Sequence, residues 1–350
     1  MESNDSFSVF LLLFDGRTDT IENRRTTGMK TVFIINPDAG KGKGIDHLQA
    51  RIRTAAEKTG QIADIYMTKA PQDAERFAKS FAEELAEAGP DGMPEAGRLI
   101  ACGGDGTFNE VLNGVMAAAC HDHVALGLIP TGTGNDFVRN FPEAGDFLDP
   151  AAQLSGQDVP CDAIRYRGIL EGKEQTRYCG NMFNVGLDCN VVDTAAHLKR
   201  YPLIAGSFAY LLGVAINFIR KKGANLKVEL DGKTIVNGPV LLTAIANGGF
   251  CGGGVHSAPM ASTCDGRMDV NIIYNVSRFQ FLKKFPYYAK GTHMELPDIT
   301  DILYCDSCTT ARLTPLDGTM RLCTDGEIVD AGTVEFEMAP GAFRMILPAK

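Results

Sequence analysis

Between residues 99 and 119 a short apolar run, Leu99-Ile100-Ala101-Cys102, ends in Gly103-Gly104-Asp105-Gly106-Thr107 and gives way to the helical spacing of Phe108–Ala119. A strand that stops in small residues and reopens as a helix leaves backbone N–H groups facing outward, an arrangement that holds phosphates. An acid at that point can meet a cation or a reacting hydroxyl. Gly40-Lys41-Gly42-Lys43-Gly44 precedes this turn, Pro130-Thr131-Gly132-Thr133-Gly134-Asn135-Asp136 follows it, and Asp325-Gly326-Glu327 lies far downstream. Together the four segments imply a nucleotide-dependent phosphotransferase.

From residue 30 onward, short β-branched runs alternate with helical periodicity. Strands are expected at 31–36, 62–67, 98–102 and 124–129. Ile45, Leu48, Ile52 and Ala55 mark the buried face of one helix, and Ala74, Phe77, Ala78, Phe81 and Leu85 that of a second. Residues 89–97, rich in glycine and proline, read as a surface loop. Strands joined by crossover helices predict a right-handed parallel sheet with ligands at the carboxyl ends of its strands. Three of the four glycine-rich segments lie just past such ends.

Near residue 150 the pattern changes to short strands: 158–166, 177–185, 227–230, 240–247, 268–274, 309–313, 321–324, 334–338 and 343–347. Helices are expected at 207–220 and 278–290. The chain therefore divides into a nucleotide-binding α/β domain over 29–150 and a β-rich domain over 151–350, the C-terminal end packing back on the first domain. Residues 1–28 lack a pattern and are expected to lie outside the fold, a fresh start appearing at Met29.

A net charge of −9 argues against broad electrostatic binding to nucleic acid or to an anionic bilayer. Membrane contact must then be local and apolar, and no basic amphipathic helix stands out to make it. No apolar segment reaches the roughly 18–20 residues that span a bilayer, and the apolar run at 7–14 lacks the flanks of a signal peptide. Cys305 and Cys308 form the only Cys-x-x-Cys among 10 cysteines, with no second pair or neighbouring histidines to complete a zinc site. The thiols read as reduced core residues of a cytosolic protein.

Gly103, Gly104 and Gly106 let the backbone approach phosphates, although a tight strand–helix turn would use them too. Lys41 is a better phosphate contact than Lys43. Asp136 either caps a helix at 137–141 or joins Asp105 and Asp162 in holding hydrated magnesium, which prefers a few carboxylates plus water and phosphate. Asp162 interrupts the strand-like run Val159–Tyr166, where a charge needs a reason. Asp325 reads either as a hairpin turn or as a general base, oriented by Glu327 and raised in pKa by it.

The full set resembles the diacylglycerol kinase catalytic-domain family, which includes bacterial lipid kinases and sphingosine kinases, over residues 30–348. Asn36-Pro37-Asp38-Ala39-Gly40-Lys41 is similar to its opening motif. Gly103–Thr107 with Asn109-Glu110, and Pro130 through Phe137, are similar to its two central signatures. Residues 246–266 resemble its Asn-Gly, Gly-Gly-Gly, Ala-Pro, Asp-Gly stretch.

The resemblance implies a three-layer α/β domain related to phosphofructokinase and NAD kinase folds, then a β-sandwich-like domain, with the active site between them. It implies ATP and Mg²⁺ as cofactors and Asp325 as base. Asn36, Lys41, Thr68, Gly103, Gly104, Asp105, Gly106, Thr107, Glu110, Thr133 and Asn135 would line the nucleotide. Asp105, Asp136 and Asp162 would form the metal network, with Lys199 or Arg200 as a basic residue beside the site. Bacterial members carry a structural Mg²⁺ whose positions here are Ser262, Asp265 and Arg267. Ser262 replaces a more usual acidic or amide ligand, and a plain turn is the alternative.

The implied activity is transfer of the γ-phosphate of ATP to a lipid hydroxyl, diacylglycerol giving phosphatidic acid. The alternatives are an NAD kinase-like or sugar kinase using the same glycine turn, and a non-catalytic nucleotide or lipid sensor. A cytoplasmic enzyme that touches the membrane surface during turnover follows, with homodimer formation left open and no nucleic-acid partner.

Overall fold

The computed structural model describes residues 29–42, 44–88, 95–187, 189 and 223–350, Lys41 by its backbone alone. The expectations for residues 1–28, Lys43, Lys199, Arg200, the helix at 207–220 and most of the loop at 89–97 lie outside them.

β1 (Lys30–Ile35), α1 (Ile45–Thr59), β2 (Ala63–Met67), α2 (Asp73–Ala88), β3 (Gly97–Gly103), α3 (Asp105–Met116), β4 (Val124–Pro130) and the short α4 (Pro150–Leu154) build the first half. Its strands run parallel in the order β4-β3-β1-β2. Strand residues alternate in direction, so each strand feeds two cores. Phe33, Ile35, Ile100 and Cys102 face Leu48, Ile52 and Ala55 of α1. Val32, Ile34, Leu99 and Ala101 face Phe81 and Leu85 of α2 and Val111 and Leu112 of α3. Three layers result, with the loops after β1, β3 and β4 at one edge.

The second half is antiparallel: β5 (Gln157–Leu170), β6 (Lys173–Cys179), β7 (Met182–Gly186), β8 (Ala224–Leu230), β9 (Lys233–Ala246), the small β10 (Phe250–Cys251) and β11 (Val255–His256), β12 (Met268–Tyr274), α5 (Arg278–Lys290), β13 (Leu303–Cys308), β14 (Thr310–Pro315), β15 (Met320–Thr324) and β16 (Glu327–Leu347). One face packs Tyr166, Phe183, Leu226, Val270, Leu313 and Phe336 into a sandwich-like core. The other packs Leu241, Ala244 and Ile273 against Phe281 and Tyr288 of α5.

β16 joins the halves. It begins against β15, continues along β14 and β5, and ends with Arg344 and Met345 parallel to Ala125 and Leu126 of β4. The two strands expected at 334–338 and 343–347 are thus one, with a register shift between Ala339 and Phe343 that mimics a break. Conversely, the run at 177–185 is two strands, parted at Gly180-Asn181 where the Asn181 amide turns away to donate to the Phe250 carbonyl. β13 was not expected: it is an edge strand paired with β12 alone, and its polar Asp306 and Ser307 hide the pattern. The helix anticipated after Asp136 is a single 3₁₀ turn, Phe137–Asn140.

At the junction Phe343 of β16 is fully buried, its ring 6.1 Å from Phe108 of α3 and 6.3 Å from Phe137. Phe343→Ala should cost about 3–5 kcal/mol of stability. A clear fall in the urea midpoint for loss of the first half's fluorescence or circular dichroism checks this; an unchanged midpoint would place the load elsewhere.

Candidate active site

The loops after β1, β3 and β4 meet through their backbones. Thr131 and Gly132 N–H donate to the Gly103 carbonyl at 2.8 and 3.2 Å. A side chain at Gly132 would collide with the Gly104 Cα, so glycine is required for this contact. Asn36 Nδ2 donates to Thr107 Oγ1 at 3.0 Å, and the Thr68 N–H reaches the Ile35 carbonyl at 2.9 Å. Gly104 starts α3 with no side-chain cap, which leaves the leading N–H groups of the helix for an anion. Glu110 is turned outward along α3 to accept from the Gln72 N–H at 2.9 Å. Thr133 is exposed, and Asn135, in left-handed geometry, donates to the Gly132 carbonyl while its Oδ1 is buried without a partner.

Asp105 organises this edge. Its Oδ1 accepts the N–H groups of Asp136 at 2.9 Å and Phe137 at 3.2 Å. Burial pushes its pKa up, and the N–H groups of 135–137 oppose that. The carboxylate of Asp136 in turn accepts from Gly253 N–H at 2.9 Å and Gly254 N–H at 2.7 Å, with Arg139 Nε 3.5 Å away. It too is pushed up, first by burial and then by Asp105. Both carboxylates crowd Gly134, where a Cβ would stand 2.9 Å from Asp105 Oδ2.

Asp325 comes from the opposite half, in the left-handed turn between β15 and β16. Met182 N–H donates to Oδ1 at 3.0 Å, and Asn109 Nδ2 of α3 and the Cys179 thiol donate to Oδ2, both at 3.3 Å. Enclosure by protein, with the charge of Asp105 adding, raises its pKa to about 7. A carboxyl fixed at three points and poised near neutrality can take a proton from a hydroxyl.

The orienting role expected of Glu327 has no direct bond behind it: among the described residues no hydrogen bond joins it to Asp325, which Asn109, Cys179 and Met182 hold. Its Oε1 stands 2.9 Å from where a Cβ on Gly106 would lie, so Gly106 leaves room for it. Although Glu327 is exposed, partial desolvation, Glu110 and Glu75 raise its pKa, while Arg177 opposes them.

Asp162 makes its direct hydrogen bonds away from the Asp105 and Asp136 pair. Its oxygens accept from Gly266 N–H and Gly341 N–H, each at 2.7 Å, and no hydrogen bond links it to Asp105 or Asp136 among the described residues. The charge in the strand is met by two backbone donors. It satisfies an N–H freed by the irregularity in β16 and another in the turn before β12. In that turn Ser262 faces Cys264, and Asp265 accepts from the Arg267 N–H at 3.0 Å.

Among the described residues no three His, Cys, Asp or Glu side chains converge as a metal cage. Asp105, whose Oδ2 carries none of the described hydrogen bonds, and the adjacent Asp136 suit a cation held by one or two carboxylates, water and phosphate, which is the habit of Mg²⁺. Residues passed over as site members were Asn109, Cys179, Arg177 and the Gly253-Gly254 pair. Asn109 sits in a quoted signature and could have been read as the partner of a distant acid. Cys179 carried no such signal.

The comparisons with known proteins agree with this geometry. A family model described as "Diacylglycerol kinase catalytic domain" matches residues 30–166, and one described as "YegS C-terminal NAD kinase beta sandwich-like domain" matches 181–347. A protein named diacylglycerol kinase from Mycobacterium tuberculosis is 24% identical over 320 residues, covering 91% of this chain and 95% of its own. One of the same name from Bacillus subtilis is 28% identical over 265 residues, 75% of this chain and 79% of its own. A crystal structure of a diacylglycerol kinase from Bacillus anthracis superposes with a TM-score of 0.65 at 20% identity, over 92% of this chain and 98% of that one; it shares the two-part fold.

Asp162→Asn presents an NH₂ group to one of two backbone donors. We expect a loss of roughly 2–4 kcal/mol of stability with unchanged nucleotide affinity, measured by thermal unfolding and by calorimetric titration of ATP. Weakened ATP binding at full stability would return Asp162 to the metal network.

Proposed function

Since this chain belongs to the diacylglycerol kinase catalytic-domain family and is a lipid kinase, we propose that its cleft transfers the γ-phosphoryl group of Mg²⁺-bound ATP to diacylglycerol. The observation that carries this reading is the direct bond from Asn109, one turn into the helix that opens at Gly104, to the carboxylate of Asp325. It puts a base from one half beside a phosphate cradle from the other.

In this reading the triphosphate lies along Gly103–Thr107 and Gly132–Asn135, held by helix N–H groups. Asp105 and Asp136 would hold the metal, which supplies neutralisation of phosphate charge. Asn109, Cys179 and the Met182 N–H fix the direction of the Asp325 lone pairs. Asp325 accepts the proton of the acceptor hydroxyl as that oxygen bonds to the γ-phosphorus. The bond from the γ-phosphorus to the β–γ bridging oxygen breaks, leaving ADP and phosphatidic acid. Phosphoryl transfer needs little more than position and charge.

Labelled ATP offered with diacylglycerol in detergent micelles should give labelled phosphatidic acid. Label transferred to NAD alone would favour the nucleotide-kinase reading, and none to either would favour a sensor. Asp325→Asn keeps the shape but not the base, so kcat should fall by about 10³-fold or more with ATP affinity within about twofold. Wild-type turnover in that variant would move the base elsewhere. The base must be ionised, and its pKa stands near 7. The kcat/KM profile should therefore rise with pH through about 7 and fall on the acid side, and a profile flat from pH 5 to 8 would count against it.

A further inference from the structure

α5 carries apolar side chains on two opposite sides with basic ones between them, a mixture in which no single amphipathic stripe stands out in the sequence. Phe281, Phe285 and Tyr288 turn inward onto the core under β9 and β12. At 3.6 residues per turn the opposite face carries Phe279, Leu282 and Pro286, with Lys283 and Lys290 along its border. Phe279 is 77% and Leu282 60% exposed, and both lysines are exposed. Tyr287 stands half out on the flank. A capping box between Ser277 and Gln280 and a left-handed Gly291 fix both ends, so the face is presented by a held helix.

Charge identifies what covers it. The chain carries −9 overall, yet residues 278–290 hold four basic side chains and no acid. Lys284 is paired with Asp298, whose charge Lys283 also feels, while Lys283 and Lys290 remain exposed and Glu295 lies just past the helix. A second copy seated face to face would set these lysines against themselves with no acid within the helix to answer them. Anionic lipid head groups meet the lysines while the acyl region takes Phe279 and Leu282. The acidic remainder of the chain is repelled by the same surface, which sets the orientation.

The helix also adjoins the site. A side chain at Gly291 would collide with the ring of His256, which stacks on Phe250 at 4.2 Å across the β10–β11 hairpin. The tip of that hairpin contains Gly253 and Gly254, the pair that holds Asp136.

We propose that the outward face of α5, Phe279 and Leu282 bordered by Lys283 and Lys290, seats in the head-group region of an anionic bilayer and so brings the Asp136 side of the cleft to a membrane-borne acceptor. The docking is an addition to the lipid-kinase reading and rests on it only for what the acceptor is. Two double variants test it, Phe279→Ser with Leu282→Ser and Lys283→Glu with Lys290→Glu, in the full-length protein. Wild type should co-sediment with vesicles of phosphatidylcholine and phosphatidylglycerol, and about tenfold more weakly with phosphatidylcholine alone. Each variant should lose at least about tenfold in binding to the mixed vesicles. Turnover of a water-soluble short-chain diacylglycerol should stay within about twofold of wild type.

Variants that bind the vesicles as wild type does would overturn the proposal. So would a drop from dimer to monomer in analytical ultracentrifugation, which would make the face a contact between copies. Loss of turnover on the soluble substrate would also overturn it, by giving the face a role within the site. Should the serine pair unfold, the charge-reversal pair decides alone. Vesicle binding that depends on α5, in a protein that phosphorylates no diacylglycerol in any form, would retain the docking surface and reject the proposed acceptor.

Discussion

The contact on which the rest of the site depends is the carboxylate of Asp105 accepting the backbone N–H groups that follow Gly134. One oxygen takes Asp136 and Phe137, which closes the loop after β4 over the glycine turn after β3. That closure presses Gly132 onto Gly104 and aims Asp136 at Gly253 and Gly254 of the other half. A neutral side chain of the same size would keep some of these bonds. It would lose the charge that makes each of them stronger and that complements the positive end of α3. Two loops and a domain contact are therefore organised by one residue whose second oxygen remains for a ligand.

Among the described residues four carboxylates lie about the cleft, with Arg139 and Arg177 beside them. Asp105, Asp136, Asp325 and Glu327 are all pushed above the usual range, each first by desolvation. Arg139 leans on Asp136, and Arg177 is held in both directions by Glu75, at 3.1 and 2.7 Å. For Asp325 the sign is definite: its folded pKa lies above the unfolded one, so its contribution to stability is present below the ordinary aspartate value and lost as pH rises through about 7. A site that is strained by its own ionisation gains most from a bound cation, and it would repel a bare triphosphate. Metal and phosphate binding should thus be mutually reinforcing, each reducing the electrostatic cost of the other.

The parallel half was legible in the sequence because β1, β3 and β4 are buried on both faces and read as nearly unbroken apolar runs, and its glycine-rich segments fall just past strand ends. Asp325 was legible too, since an acid-glycine pair splitting an apolar run is a local signal. Asp162 was not. Nothing in Val159–Tyr166 shows whether its charge serves a metal or two backbone donors, because Gly266 and Gly341 are brought to it only by the pairing of β5 and β16. Glu327 failed for a related reason. Adjacency along the chain suggested that it orients Asp325, but the turn between β15 and β16 sends the two side chains to different neighbours. Long-range pairing, invisible in any window of sequence, decided both.

β16 brings the two sides of the cleft together within one chain. Its first residues sit beside Asp325, and its last ones are a strand of the parallel sheet that ends at Gly103 and Pro130. The base and the phosphate cradle are consequently ends of one hydrogen-bonded sheet rather than of two bodies joined by a linker. Arg177 on β6 adds a bidentate tie to Glu75 of α2 across the same gap, and Asn109 makes the third crossing at Asp325 itself. With the bonds from Gly253 and Gly254 to Asp136, these crossings among the described residues leave little freedom for hinge closure about this seam. Discrimination between acceptors must then come from what reaches the open rim of the cleft, which makes the surface presented there, more than any movement of the halves, the determinant of which hydroxyl meets the base.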